Sequence, residues 1–217
     1  LSRLDRPCYG GGIRMFNPTG NGMPCQVTVP RPLIEGSLTW PGQHAGFLGP
    51  KYDPWQVHSD PNSKDFKVQG VQLLDGLTSS RLSNRFDILG DMNSRQRSLD
   101  RFARGIQFTS QQQEAYSMLT SPNIAKAFDI AAEADDVRDR YGRNEYGQTI
   151  LLARRLVEYG VPYVQCNMGI VQSWDTHSDN FPRLKTKLLP GIDGGVSALI
   201  DDLADRSMLD DVLIVVV

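Results

Sequence analysis

The sequence predicts an α/β protein, a mostly parallel sheet with helices packed against it. Three observations carry that class. From Gly147 onward the hydrophobic pattern reads helix, strand, helix, strand, which is the order of a βαβ unit. The final residues, DDVLIVVV, are a continuous apolar run, the pattern of a strand covered on both faces. The composition, 40% hydrophobic and 22% charged over 217 residues, is that of a chain able to bury a sizeable core.

Taken in chain order, residues 1–85 are dense in glycine and proline and read as a loop-rich cover. Within them CQVTVP (Cys25–Pro30) has strand composition and Val68–Leu74 alternates weakly, while Trp40, Phe47, Tyr52 and Trp55 favour order. Gly10–Gly12 reads as a flexible turn. It is not a phosphate loop, because no strand leads into it and no Lys-Ser/Thr follows.

Residues 86–141 read as a helical insertion. Phe86–Phe102 and Ser110–Leu119 carry apolar residues at mixed three and four spacing, and Ser121-Pro122 opens a short helix running through Ile130 with proline in its tolerated first position. Asp136 and Arg140 stand four apart, which predicts an exposed ion pair worth about 0.3 kcal/mol.

Residues 147–217 read as the βαβ core. QTILLARRLVEYG is an amphipathic helix stopped by Gly160. PYVQCNMG is a short strand whose proline falls where no ladder donor is lost. After the loop IVQSWDTHSDNF, Leu184, Leu188, Ile192, Val196, Leu199 and Leu203 recur at helical spacing, with Pro190 and glycines 191, 194 and 195 predicting a kink or break. The chain starts at Leu1 and stops inside an apolar run, so it reads as an internal piece of one larger domain.

Several function classes are disfavoured. A formal net charge of −2 gives no global attraction to nucleic acid or to an anionic membrane. No stretch approaches the roughly 20 apolar residues that span a bilayer. Cys8, Cys25 and Cys166 form no CxxC and read as isolated thiols, with a Cys8–Cys25 bridge the one pairing left open. Compartment and oligomeric state are undecided by these features.

The chemistry concentrates in the loop after Tyr163–Met168, since ligands of open α/β sheets gather at the carboxyl ends of strands. Asp175 and His177 stand two residues apart there, so a carboxylate and an imidazole can face one divalent cation. That donor mix suits zinc or manganese, with magnesium or calcium if oxygen dominates. Asp179 and Asn180 can add ligands or hold the loop. The plainer alternative makes Asp175 a turn former and His177 a surface residue. His44 and His58 read as loop histidines, and no nucleophile is identifiable: there is no Gly-x-Ser-x-Gly elbow and no Cys-His dyad.

Five strings taken together resemble one bacterial family: HAGFLGPKYDPW (44–55), DPNSKDFKV (60–68), SPNIAKAFD (121–129), DRYGRNEYGQTILLARRLVEYGVPYVQCN (139–167) and WDTHSDNFPRLKTKLLP (174–190). This is the domain-of-unknown-function family 1501, which is sulfatase-like and of the alkaline-phosphatase superfamily. The resemblance implies a three-layer α/β/α sandwich with a mostly parallel sheet, incomplete in this chain. It implies export to the periplasm or beyond, and metal-dependent hydrolysis of sulfate or phosphate esters, on a small-molecule or polysaccharide substrate. It also implies that Asp175 and His177 hold the divalent metal: zinc, calcium, magnesium or manganese. The catalytic nucleophile and a second metal loop are expected outside the chain, so this piece alone is expected to bind metal weakly and catalyse little. The alternative is a non-catalytic binding or surface-associated protein on a degenerate hydrolase fold.

Overall fold

A computed structural model of the chain describes residues 6–16, 22–35, 38–68, 71, 80–82, 84, 85, 87, 88, 115–119 and 121–217. The predicted helix Phe86–Phe102 and the alternating segment Val68–Leu74 fall largely outside them. The described residues form a mixed α/β fold with seven α-helices and a three-stranded parallel sheet.

The helices are α1 (Tyr9–Phe16), α2 (Pro122–Phe128), α3 (Asp135–Tyr141), α4 (Glu145–Glu158), α5 (Val171–Trp174), α6 (Asn180–Arg183) and α7 (Leu189–Asp205). The parallel strands are β1 (Gln26–Val29), β4 (Trp55–Gln56) and β5 (Tyr163–Cys166), in the order β4-β1-β5. Between the first two, β2 (Ile34–Glu35) and β3 (Leu38–Thr39) pair antiparallel as a separate ribbon. The loop-rich first third of the chain thus contributes the middle strand of the sheet.

CQVTVP forms that strand for a reason visible in its alternation. Val27 and Val29, in register with Val164 and Cys166 of β5, turn one face towards α4 and the apolar core. Gln26 and Thr28 point to the other face, where α1 lies. All four side chains of β1 are buried. Its polar half therefore needs partners: Gln26 Nε2 donates to the Tyr52 carbonyl at 2.6 Å, and the Cys8 thiol donates to Gln26 Oε1 at 3.7 Å. Gly10–Gly12, expected as a turn, lies inside α1. A Cβ on Gly10 would collide with Gln26 Oε1 and approach the Tyr163 ring to 2.8 Å, so glycine is what lets this helix lie so near the sheet.

The apolar layer is built from α4 outwards. Asn144 caps the helix by accepting the Gly147 N–H at 3.0 Å, and Gly160 ends it with φ of 91°. Ile150, Leu151, Leu152 and Leu156 are buried against Val27, Val29, Ile124, Phe128 and Ala198. Around Pro190, where a kink or break is expected, the helical run is continuous from Asn180 to Asp205. Pro190 follows directly on one π-helical turn over Leu184–Leu188, so its ring and missing N–H fall where the α-helical hydrogen bonding is already altered. Gly191 and Gly195 lie against α4, whereas a Cβ on Gly194 would meet nothing. A Cβ on Gly195 would stand 2.7 Å from Ile150 Cδ1 and 3.5 Å from the Gly147 Cα.

Two further expectations differ. The run Val212–Val217 is neither helix nor strand, and Leu213, Val215, Val216 and Val217 are exposed, because no neighbouring strand among the described residues accepts their backbone groups. Arg140 does not turn to Asp136; it reaches α7 instead, 3.3 Å from Asp205 and 3.5 Å from Asp202. The left-open Cys8–Cys25 bridge is not formed, and none of the three cysteines is in a disulfide.

α4 and α7 are also joined by buried charge. Arg154 is fully buried, with Nη1 donating to Glu158 at 2.6 Å, Nη2 2.8 Å from Glu133 and Nε 2.8 Å from Asp202. Asp202 also accepts from Arg206 at 2.9 Å and from the Tyr141 hydroxyl at 2.9 Å. Burial alone would raise the Asp202 and Glu133 carboxyls. The guanidiniums of Arg206 and Arg154 on the first, and of Arg154 and Arg155 on the second, outweigh it and hold both below their ordinary values. Groups so depressed add stability that is complete above their unfolded values, about 3.9 and 4.3, and is lost as pH falls through the lower folded ones. Urea unfolding at a series of pH values should therefore show stability falling below about pH 4.5. Asp202→Asn should flatten that fall, and an unchanged profile would contradict the pairing.

Candidate functional site

The candidate loop starts where β5 ends. Asn167 is buried there and joined to the central strand twice: its N–H donates to the Val29 carbonyl at 2.8 Å and its Nδ2 to the Arg31 carbonyl at 2.8 Å. Gln165 Nε2 donates to Asn167 Oδ1 at 3.0 Å, which uses the remaining side of the amide. The carboxyl ends of β1 and β5 are thus tied together at the base of the loop.

From this base the chain rises through α5 to Trp174. The indole Nε1 donates to the Met168 carbonyl at 2.6 Å, and its ring stacks on Tyr146 with centroids 6.5 Å apart and planes at 22°. Arg183, from α6, donates to the Ser173 carbonyl at 3.4 Å. These contacts fix the residue immediately before Asp175.

The stretch from Asp175 to Asn180 is organised around one buried side chain. Thr176 points inward and its Oγ1 donates to Asn180 Oδ1 at 2.6 Å, while the Ser178 N–H donates to the Thr176 carbonyl and closes a tight turn. Asp179 takes the left-handed conformation, φ 53°, at the entry to α6. With Thr176 inward, its neighbours face out. His177 Nε2 stands 2.9 Å from Asp175 Oδ2, and the two side chains are 84% and 59% exposed.

The two residues singled out for metal are therefore side by side. Two donors on one tetrahedral zinc lie about 3.3 Å apart, so the pair needs only a small opening to bind one ion. They supply about half of a four-coordinate shell. Among the described residues no group of three or more His, Cys, Asp or Glu side chains gathers to complete it. Asn180 serves the loop through Thr176.

The other candidates lie apart. His44 Nδ1 is 3.6 Å from Asp53 Oδ2, and Asp53 Oδ1 accepts the Ala45 N–H at 2.8 Å, an arrangement that organises the 44–53 loop. His58 is exposed. Burial pushes the Cys8 thiol up, and desolvation raises Cys166 to about 12, so neither is a ready thiolate.

Sequence reading missed the group beneath the loop. Arg31 follows the central strand and pairs with Glu145 at the start of α4, and the next residue, Tyr146, stacks on Trp174. Burial and then Glu145 raise the Tyr146 phenol, and Arg31 pulls it back down, so the guanidinium and the phenol feel each other. No helix among the described residues is long and apolar enough to cross a membrane.

Residues 2–217 match the family described as "Protein of unknown function (DUF1501)". No curated protein matches the chain, and no solved structure matches it.

Proposed function

The chain belongs to the family of unknown function DUF1501, and from that premise we propose that it is part of an exported, metal-dependent hydrolase of sulfate or phosphate esters. In this reading the parallel sheet is part of a sulfatase-like α/β/α sandwich, and Asp175 and His177 are ligands to the divalent metal. One observation carries it: the 2.9 Å approach of His177 to Asp175, on a loop leaving the carboxyl end of a parallel strand. The bound cation would neutralise charge developing on the ester oxygens during attack. The chain's own contribution is to hold the two donors together from beneath, through Thr176.

The test is His177→Ala in the full-length gene product, followed by elemental analysis and ester hydrolysis assays. Bound metal and hydrolysis are expected to fall together. Thr176→Val, which removes the hydroxyl that braces the loop, should weaken metal binding by about 10-fold or more while leaving both ligands in place. Unchanged metal content in His177→Ala would overturn the ligand assignment.

The exposure of the pair favours a second reading, a non-catalytic binding protein on the same scaffold. Under it the parent protein hydrolyses neither sulfate nor phosphate esters, whatever its metal content.

A further inference from the structure

Arg31 occupies the first position after cis-Pro30, at the carboxyl end of the central strand of the parallel sheet. Its backbone is tied to the end of β5, because its carbonyl accepts from the buried Asn167 at 2.8 Å. Its side chain is 42% exposed, so one edge of the guanidinium meets solvent. The other edge is engaged unevenly: Nη2 pairs with Glu145, while Nε is buried with no hydrogen-bond partner among the described residues. A guanidinium carries five donors in a planar fork suited to a carboxylate, sulfate or phosphate, and leaving a buried one unused is costly.

The surroundings connect this residue to the Asp175 loop. Glu145 and Tyr146 are consecutive, and Tyr146 stacks on Trp174, next to Asp175. Downstream of Arg31, Ile34–Glu35 lies against Val171–Trp174. An anion seated on Arg31 would therefore rest at the carboxyl end of β1, beside the loop that leaves the carboxyl end of β5. That crevice is where open parallel sheets bind ligands.

We propose that Arg31 is an oxyanion-binding residue, taking the sulfate or phosphate group of the ester whose metal is held by Asp175 and His177. This rests on the function proposed above. It adds a recognition residue from a different strand and gives Glu145 a role as the intramolecular competitor that occupies the guanidinium in the free protein. The fork can accept an anion through its solvent-facing edge, with Glu145 weakening that binding by partial neutralisation.

The probes are inorganic phosphate and inorganic sulfate, titrated calorimetrically into the full-length protein. Arg31→Gln should weaken binding of the preferred anion about tenfold or more, with Arg31→Lys intermediate. Glu145→Gln should tighten it, an effect that a purely structural ion pair would not produce. Thermal melts establish that the variants are folded, and metal content is expected to match the parent in all three. Equal anion affinity in Arg31→Gln and parent overturns the proposal, as does a parent that binds neither anion, or loss of metal in Arg31→Gln. The His177→Ala metal measurement separately decides the ligand assignment, so the two failures are distinguishable.

Discussion

Gly147→Ala is expected to destabilise the protein by about 3 kcal/mol or more, lowering its melting temperature by roughly 6–12 °C. The added Cβ would fall on the Tyr141 carbonyl oxygen and 2.6 Å from that of Gly142, and both are backbone atoms. Neither can swing aside as a side-chain tip can, so the turn between α3 and α4 must move. That turn presents the Asn144 cap, and Gly147 itself faces Gly195 of α7. Gly194→Ala is the matched control in the neighbouring helix. Nothing lies within 4 Å of a Cβ there, so the usual helix preference for alanine should stabilise by about 0.5–1 kcal/mol. Differential scanning calorimetry of the pair should give shifts of opposite sign. A Gly147→Ala melt within 2 °C of the parent, as an approximate threshold, would contradict the described turn.

The second large effect is expected at Arg154. Replacing it with alanine strands Asp202, Glu133 and Glu158, the first two nearly inaccessible to water. Removing one partner of a buried ion pair costs about 3–5 kcal/mol, because the remaining charge keeps its desolvation penalty. The lower end applies here. Arg206 still reaches Asp202 and Glu158, and Arg155 still reaches Glu133. Arg154→Lys should recover little, since one ammonium cannot span three carboxylates as the guanidinium does. Chemical denaturation at pH 7 measures both variants, and an Arg154→Ala loss below about 1 kcal/mol would show the network to be dispensable.

Local patterns made the helices and strands of the second half legible. The stop at Gly160, the strand Tyr163–Cys166 and the helix after Ser121-Pro122 are each written in a few adjacent residues. What escaped depends on partners distant in sequence. Gly10–Gly12 reads as a turn until Gln26 and Tyr163 are known to press on it. Glycines 191 and 195 read as breakers until α4 is seen to need their surface. The apolar run at Val212–Val217 has strand composition, but composition cannot supply the neighbouring strand that pairing needs.

The candidate site divides in the same way. The closeness of Asp175 and His177 was legible from their spacing and their place after a strand, because residues i and i+2 of a loop can share a side. Their support was not. The Thr176–Asn180 bond is local, yet the spacing of the loop does not say which of its side chains turns inward. The chain Arg31, Glu145, Tyr146, Trp174 spans 143 positions and exists only through the sheet and the stacking it enables.

The alternation along β1 also constrains how the molecule assembles. If Gln26–Val29 slid by one position against β5, the amide of Gln26 and the hydroxyl of Thr28 would enter the layer beneath α4, and two valines would meet the polar atoms around Tyr52. Each polar group buried without a partner costs about 1–3 kcal/mol, and two valines would be withdrawn from the apolar core as well. Slippage is thus penalised on both faces at once, which a uniformly apolar central strand could not achieve. The four residues act as a key: during folding they reject misaligned strands, and the loop carrying Asp175 and His177 leaves the sheet at one level only.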